Sequence, residues 1–364
     1  MHEKYLKELA SLRNKIDNID DAILELLEKR AQVVKKVGEI KKKLNSSFYV
    51  PYREEEIVKR LHKKAKGSFP KKAIRPVFRE IISACLSLEK NLKVAFLGPT
   101  ATFTHEAALK YFGQAAQYMP VRTISDIFDE VYKGRADLGV VPVENSTEGI
   151  VSYTLDMFLK YDLKVCGEII LPITHCLISS HPKKEDIRKI YSHPQAFAQC
   201  RGWLEKNMPN AVLIEVGSTA EAAEMVKKTT FSAAIAGEAT AKIYDLKVVE
   251  KNIQDLTENS TRFLVIGRIE QKKTGNDKTS LLFSIKDQAG ALYKMLAPFA
   301  KRDVNLTKIE SRPIKTKAWE YVFFIDLDGH ISEKKVSEAV EELKEMCIFL
   351  KVIGSYPKFK GEEK

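Results

Sequence analysis

The chain has 364 residues, 44% of them hydrophobic, a formal net charge of +11 and five cysteines. That length allows two or three domains, each with its own core. No apolar run approaches the roughly 20 residues of a membrane span, and Met1-His2-Glu3-Lys4-Tyr5 lacks a signal peptide's hydrophobic core, so a cytoplasmic protein with no membrane partner is expected. Cys85, Cys166, Cys176, Cys200 and Cys347 are odd in number, widely spaced and without a CxxC pair, which argues against a disulfide framework and a zinc site.

The positive charge is concentrated at one end, where residues 1–90 hold 22 Lys+Arg against 13 Asp+Glu. Runs such as Lys41-Lys42-Lys43 have no aromatic interleaving and no recognised nucleic-acid-binding module around them. Solvated helix faces or a small anionic substrate fit them better than nucleic acid does. Between Glu3 and Leu44 there is no proline and one glycine, Gly38, while apolar residues recur at helical spacing from Leu6 and Leu9 through to Ile40, which predicts one very long amphipathic helix. At 1.5 Å per residue it would extend about 60 Å, too long for a 90-residue domain to bury. It must find a partner, most simply a second copy. Asn45-Ser46-Ser47 and Pro51 break the pattern, and further helices over 52–64 and 72–92 complete an all-α, three-helix module. Arg30 and Lys41 return to the same helix face, whereas Arg13 falls about 100° away from Arg30 and can join them only from another chain.

The segments Leu12-Arg13-Asn14-Lys15-Ile16-Asp17, Leu27-Glu28-Lys29-Arg30, Val37-Gly38-Glu39-Ile40-Lys41, Arg53-Glu54 and Ile74-Arg75-Pro76-Val77-Phe78-Arg79-Glu80-Ile81-Ile82 resemble the all-helical chorismate mutases across residues 1–90. The resemblance implies an intertwined dimer. In it the partner subunit's Arg13, with Arg30 and Arg53, would hold the two carboxylates of chorismate, Glu54 its hydroxyl and Lys41 its ether oxygen. Cys85 and Glu89, four residues apart and so on one helix face, fall where that family has a small polar residue and a Gln or Glu. Val50 stands where some members are acidic. The rearrangement needs no proton transfer, so the protein contributes by holding the compact conformer and stabilising charge on the breaking C–O bond. Lys41 does this as a cation. Glu89 donates only when protonated, so if it faces the ether oxygen mutase activity should fall as pH rises and Glu89→Gln should flatten that dependence; a pH-independent wild-type rate would count against that role.

From Lys93 strands and helices alternate: strands over 94–97, 138–141, 165–171, 174–179, 190–191, 212–216, 233–236 and 263–267, and helices over 104–112, 153–160, 196–206, 220–227 and 238–244. Such alternation predicts an α/β sheet with helices on both faces, and the paired strands around Pro172 predict a crossover into a second lobe with a cleft between the two. Polar residues collect at strand ends, but no phosphate loop, dinucleotide fingerprint or metal-ligand cluster is among them. The seven histidines are scattered, so neither metal nor cofactor is expected. Asn259, Ser260, Thr261 and Arg262 precede the apolar run 263–266. An amide, two hydroxyls and a guanidinium there suit a carboxylate and a leaving oxygen, and equally suit a strand start with local hydrogen bonds.

Gly98-Pro99 with Thr102-Phe103-Thr104-His105-Glu106-Ala107-Ala108, Val140-Val141-Pro142-Val143-Glu144-Asn145-Ser146-Thr147-Glu148-Gly149, Ser192-His193-Pro194-Gln195-Ala196-Phe197 with Gln199-Cys200, and Ser260-Thr261-Arg262-Phe263 resemble, in order over 93–269, the prephenate dehydratases. The resemblance implies two α/β lobes like those of periplasmic ligand-binding proteins, with a non-catalytic binding lobe as the alternative. It makes Thr261 the catalytic hydroxyl and Arg262 a carboxylate partner, with Asn145, Ser192 and Gln199 positioning prephenate. A threonine hydroxyl is a poor acid, so Thr261 donates a hydrogen bond to the leaving oxygen rather than a full proton, and the proton source stays open. Glu144, His105 and His193 are candidate general acids, each weighed against a structural hydrogen-bonding role. Ser192-His193 is no hydrolytic pair, because neighbours in a strand point to opposite faces.

After a polar linker over 272–278, strands over 279–285, 304–310, 319–327 and 349–355 and helices over 292–302 and 333–346 give the ferredoxin-like order βαββαβ. Gly290-Ala291-Leu292 and Asn305-Leu306-Thr307-Lys308-Ile309-Glu310-Ser311-Arg312-Pro313 resemble the ACT regulatory domain over 279–356. This implies side-by-side pairing of two copies and phenylalanine held at their interface by Asp287, Gly290, Ala291, Leu292, Asn305, Leu306, Glu310, Ser311, Arg312 and Pro313. The alternative is a packing domain, with Gly290 starting a helix and Asn305 in a turn. The expectation is a multidomain, bifunctional enzyme, a homodimer or tetramer, that turns chorismate into prephenate and prephenate into phenylpyruvate with loss of water and carbon dioxide, under control of L-phenylalanine. A dehydratase whose helical module only dimerises, and an amino-acid-binding regulator without turnover, are the alternatives.

Overall fold

A computed structural model describes residues 2–44, 49–181, 183–286, 288–313 and 321–359. Asn45, Ser46, Ser47, Asp287 and the first two positions of the predicted strand 319–327 lie outside them. The chain forms two bodies, one comprising 1–50, 57–92 and 112–116 and the other the remainder.

The first body is helical, built on α1 (His2–Lys43), most of α2 (Pro51–Lys64) and α3 (Lys71–Glu89). Pro51 occupies the first turn of α2, where its fixed φ and missing N–H cost nothing. The helix therefore begins one residue before the expected Tyr52, and α3 stops three residues short of the expected 92. Along α1 the shielded positions are Leu27, Arg30, Ala31, Val34, Gly38 and Lys41, a single stripe at helical spacing on the half that packs against α3. Leu6, Leu9, Ile16, Ile19 and Ile23 are exposed.

The second body holds three sheets. In chain order it contains β1 (Lys93–Leu97), α4 (Phe103–Phe112), β2 (Gln117–Val121), α5 (Ile124–Tyr132), β3 (Leu138–Asn145), β4 (Gly149–Ile150), α6 (Ser152–Lys160) and β5 (Lys164–Pro172). It continues with β6 (Cys176–Ser179), β7 (Lys189–Ser192), α7 (Pro194–Gln199), α8 (Arg201–Asn207), β8 (Val212–Glu215), α9 (Thr219–Lys228), β9 (Ser232–Ala236), α10 (Glu238–Ile243) and β10 (Lys247–Glu250). The chain then returns through β11 (Ser260–Gly267) and ends with β12 (Asp277–Ile285), α11 (Ala291–Ala300), β13 (Leu306–Pro313), β14 (Tyr321–Asp328), α12 (Lys334–Met346) and β15 (Cys347–Pro357). The first sheet runs β2-β1-β3-β11-β5 with β4 on β3, the second β10-β6-β9-β7-β8, and the third β13-β14-β12-β15.

Strands β2, β4 and β10 and helix α5 were not read from the sequence. For α5 the signal was present, since Thr123 and Asp126 form a capping box at its start. β2 carries a proline and β4 is two residues long, so neither shows an alternating pattern. β11 begins at Ser260 instead of the expected 263, pairing antiparallel with β3 and β5. Ser260, Thr261 and Arg262 are therefore strand residues, and their side chains alternate between faces.

One apolar core spans the first and third sheets, joining Val141, Leu264 and Ile266 to Leu282, Phe324 and Tyr356. Within it lies a cluster of charges. Arg262 donates from Nε to Glu168 at 2.9 Å, from Nη1 to Asp326 at 2.6 Å and from Nη2 to the Tyr356 hydroxyl at 3.1 Å. Lys278 reaches Glu168 at 2.8 Å, and Ser280 donates to Asp326. The Asp326 side chain is 0% exposed and that of Glu168 2%, so neither charge would be tolerated without its partner. Burial alone would raise the Glu168 carboxyl, but Arg262 and Lys278 outweigh it and hold it below the usual glutamate range. Because its folded pKa is depressed, the stability it contributes is complete above the unfolded value and is lost as pH falls through the folded one. Glu168→Gln is therefore expected to lower unfolding free energy by about 3 kcal/mol at neutral pH. The gap to wild type should narrow as pH falls below about 4.5, which denaturant titrations across pH will measure.

Candidate active site

Thr261 on β11 and Asn145 on β3 are cross-strand partners, and the Asn145 amide donates from Nδ2 to Thr261 Oγ1 at 2.9 Å. The amide cannot flip. Its Oδ1 accepts from the Thr147 N–H at 3.0 Å, the Thr147 hydroxyl at 2.7 Å and the Glu148 N–H at 3.1 Å, so Nδ2 must face Thr261 and the Asn259 Oδ1 at 2.9 Å. With its oxygen already accepting, the Thr261 hydroxyl has its proton directed elsewhere.

The line of bonds continues to α7 and to the segment before β6. Gln199, ending α7, donates from Nε2 to Glu148 Oε1 at 2.8 Å and accepts at Oε1 from His175 Nε2, also at 2.8 Å. A carboxylate only accepts, so Gln199 must present its oxygen to His175, and His175 must carry its proton on Nε2. Its Nδ1 is buried without a partner, and burial pushes the imidazole below the usual histidine value despite the opposing hydrogen bond to Gln199. Phe103 meets this ring edge-on at 5.6 Å. Glu148 and His175 were not singled out from the sequence. Glu148 sits inside the quoted run 140–149, while His175 carried no local signal.

The structure thus brings Thr261, Asn145 and Gln199 into one hydrogen-bonded line. Ser192 is fully buried and donates to the Ile235 carbonyl at 2.8 Å, keeping only acceptor capacity. Arg262, for which the resemblance implies a substrate carboxylate as partner, points to the face opposite Thr261, and its donors are directed to Glu168, Asp326 and Tyr356. The three candidate acids have structural bonds. His105 Nδ1 accepts from the Ala101 N–H at 3.1 Å, its ring stacks on Phe96, and burial lowers its pKa. His193 caps α7 by accepting from the Gln195 N–H. Glu144 pairs with Lys308 at 2.6 Å.

In the helical body, Lys41 and Glu89 form an ion pair at 2.8 Å, with the Glu89 side chain 7% exposed. Arg30 Nη1 approaches the Ile81 carbonyl at 3.5 Å, and Cys85 is buried one turn before Glu89. Gly38 makes this possible. A Cβ there would lie 3.1 Å from Glu89 Cγ, and the one glycine of α1 was the available sequence signal. Arg53 and Glu54 stand on the first turn of α2, where Arg53 pairs with Glu56 at 2.9 Å. Arg13 is exposed on the N-terminal half of α1.

In the third sheet, Gly290 takes φ +78° at the start of α11, a left-handed conformation that favours glycine, followed by Ala291 and an exposed Leu292. Asn305 donates to Asp328 at 3.1 Å. Leu306, Glu310, Ser311, Arg312 and Pro313 belong to β13, the edge strand. Asp287 lies outside the described residues. Among the described residues no group of His, Cys, Asp and Glu is arranged to hold a metal, and no helix is long and apolar enough to cross a membrane.

Three family profiles match in succession: chorismate mutase type II over residues 12–90, prephenate dehydratase over 94–271 and the ACT domain over 279–345. A bifunctional chorismate mutase/prephenate dehydratase of Aquifex aeolicus is 56% identical, the alignment covering 97% of this chain and 99% of that one. The like-named protein of Pseudomonas aeruginosa is 44% identical over 96% and 98%. The crystal structure of prephenate dehydratase from Arthrobacter aurescens in complex with L-Phe superposes with a TM-score of 0.68 at 35% identity, covering 73% of this chain and 90% of that one. Over its whole length, then, the chain belongs to the family of bifunctional chorismate mutase/prephenate dehydratases.

Proposed function

We propose that the chain carries out both reactions of its family in the cytoplasm, chorismate to prephenate and then prephenate to phenylpyruvate with loss of water and carbon dioxide. The observation that carries the second is the fixed line Thr261–Asn145–Glu148–Gln199. Asn145 donates to the Thr261 oxygen, which frees and polarises the hydroxyl proton for the departing ring hydroxyl of prephenate. Gln199, held by Glu148 and His175, positions the substrate from the end of α7. Arg262 acts from behind the strand, and Ser192 contributes as an acceptor. The two sheets are read as lobes resembling periplasmic binding proteins, in keeping with the two connections, β5 to β6 and β10 to β11, that join them.

For the first reaction, Arg30, Lys41, Cys85 and Glu89 are the groups of the helical body read as mutase residues, and the family resemblance adds Arg53, Glu54 and the partner subunit's Arg13. The exposed Leu6, Leu9, Ile16, Ile19 and Ile23 of α1 support an intertwined dimer, since they form one apolar stripe more than four turns from end to end. The ion pair favours Lys41 as the cation facing the ether oxygen and Glu89 as the carboxylate that aims it. The third sheet is the site of phenylalanine control, through Gly290, Ala291, Leu292, Asn305, Leu306 and the Glu310, Ser311, Arg312, Pro313 run. Edge strand β13 leaves backbone groups for pairing with a second copy.

A coupled assay supplied with chorismate or prephenate tests both halves. Thr261→Ala is expected to lower dehydratase kcat by about a hundredfold or more with mutase turnover intact, and Arg30→Ala to do the reverse. L-phenylalanine is expected to slow the dehydratase, and its failure to change either rate or oligomer size would overturn the regulatory reading. Gly38→Ala separates stability from chemistry. Helix propensity favours alanine by about 1 kcal/mol, yet the added methyl displaces Glu89, so mutase kcat should fall about tenfold with no loss of thermal stability.

A further inference from the structure

The dehydratase pair Thr261 and Asn145 has a second pair directly behind it. Arg262 and Glu144 are cross-strand partners on β11 and β3, and both side chains reach the third sheet: Arg262 to Asp326 and Glu144 to Lys308, each at 2.6 Å. Asp326 and Lys308 are themselves cross-strand partners, on β14 and β13. Two oppositely charged pairs therefore face each other, one on each sheet, with every charge matched across the gap and beside it. The Arg262–Asp326 pair is buried, its side chains 11% and 0% exposed, whereas in the Lys308–Glu144 pair Lys308 is 9% and Glu144 38% exposed, so solvent screens the second pair in part.

At this end of β11 the ladder to β5 is regular, with Thr261 opposite Leu171 and Arg262 opposite Ile170, while the ladder to β3 is irregular. The β11–β3 register shifts between Arg262 and Phe263, and the β13–β14 register shifts between Leu306 and Lys308. Such irregularities interrupt the ladder and re-aim side chains. Beyond the first of them, the paired charges of Arg262 and Glu144 tie the Thr261–Asn145 end of this sheet to the third sheet.

We propose that Lys308 and Asp326, which lie in the ACT segment, are positioning residues of the dehydratase site, holding the Thr261–Asn145 pair in register through Glu144 and Arg262. The proposal rests on the reading of Thr261 and Asn145 as that site. Its consequence is a direct route for control. Lys308 is two residues from Glu310 on the same strand, so a movement of β13 that accompanies effector binding displaces the cation behind the site.

The test uses the full-length enzyme with prephenate. Lys308→Met is expected to lower dehydratase kcat about tenfold and to change KM less than about threefold. Lys308→Arg, which keeps the charge, should stay within about threefold of wild type. Glu144→Gln should lower kcat on its own, and Lys308→Met combined with Glu144→Gln should lose no more than the worse single variant, because each removes the same tie. Mutase turnover and the thermal midpoint report that each variant is folded. Wild-type kcat in folded Lys308→Met, or a double variant that loses the product of the two single effects, overturns the proposal. Thr261→Ala run in parallel separates the two claims: full activity there refutes the assignment of the site itself, whereas loss there with full activity in Lys308→Met refutes the positioning role alone.

Discussion

The two-residue repeat of a β-strand sends Thr261 and Arg262 to opposite faces of one sheet, and most of the second body is arranged around that division. On one face stand hydroxyls and amides, Thr261 with Asn145. On the other stand charges, Arg262 with Glu144. The charged face is covered by the ACT sheet, and between the two sheets three cations, Arg262, Lys278 and Lys308, meet three carboxylates, Glu168, Asp326 and Glu144. Buried ion pairs add little net stability over apolar packing, but a mispaired one costs several kcal/mol. Such a cluster specifies registration between sheets more than it strengthens their contact. The apolar core shared by Leu264, Ile266, Leu282 and Phe324 supplies the adhesion, and the charges specify the fit.

The polar face works by the same logic with neutral groups. Each amide is oriented by a neighbour that has no choice of role: backbone N–H groups can only donate to Asn145, and the Glu148 carboxylate can only accept from Gln199. For the proposed dehydratase site this means that orientation is fixed before substrate arrives, which is the condition for a hydrogen bond to act on a transition state without reorganisation. His175 ends the line as a neutral ring, because burial disfavours its charged form. A neutral imidazole oriented by Gln199 is a hydrogen-bonding support rather than an acid.

The helical body solves a different problem. The proposed mutase reaction needs a compact conformer and a cation at one oxygen, and long polar side chains, Arg30, Lys41 and Glu89, are gathered between α1 and α3. Arg30 and Lys41 on α1 meet α3 because eleven residues bring a helix back to the same face. The close approach of Glu89 to α1 depends on Gly38 having no side chain. A weak helix former near the end of a long helix thus leaves room for a side chain of α3.

The sequence alone determined the three textures of the chain: the long amphipathic helix, the α/β alternation and the βαββαβ order. It also located the polar runs at 142–149, 192–199 and 259–262 from which the dehydratase line is drawn. These are legible because periodicity and motif spacing are local properties. Which way each polar residue faces was decided by the tertiary structure. That β11 starts at Ser260, that Arg262 turns away from Thr261 to an aspartate 64 residues later, and that Gln199 is held by Glu148 and His175 all depend on sheet register and on bulges. Register is set by the pairing of distant strands, and a one-residue shift exchanges every face. A buried charge is stable only where its partner arrives from another element, and no local pattern in the chain records that arrival.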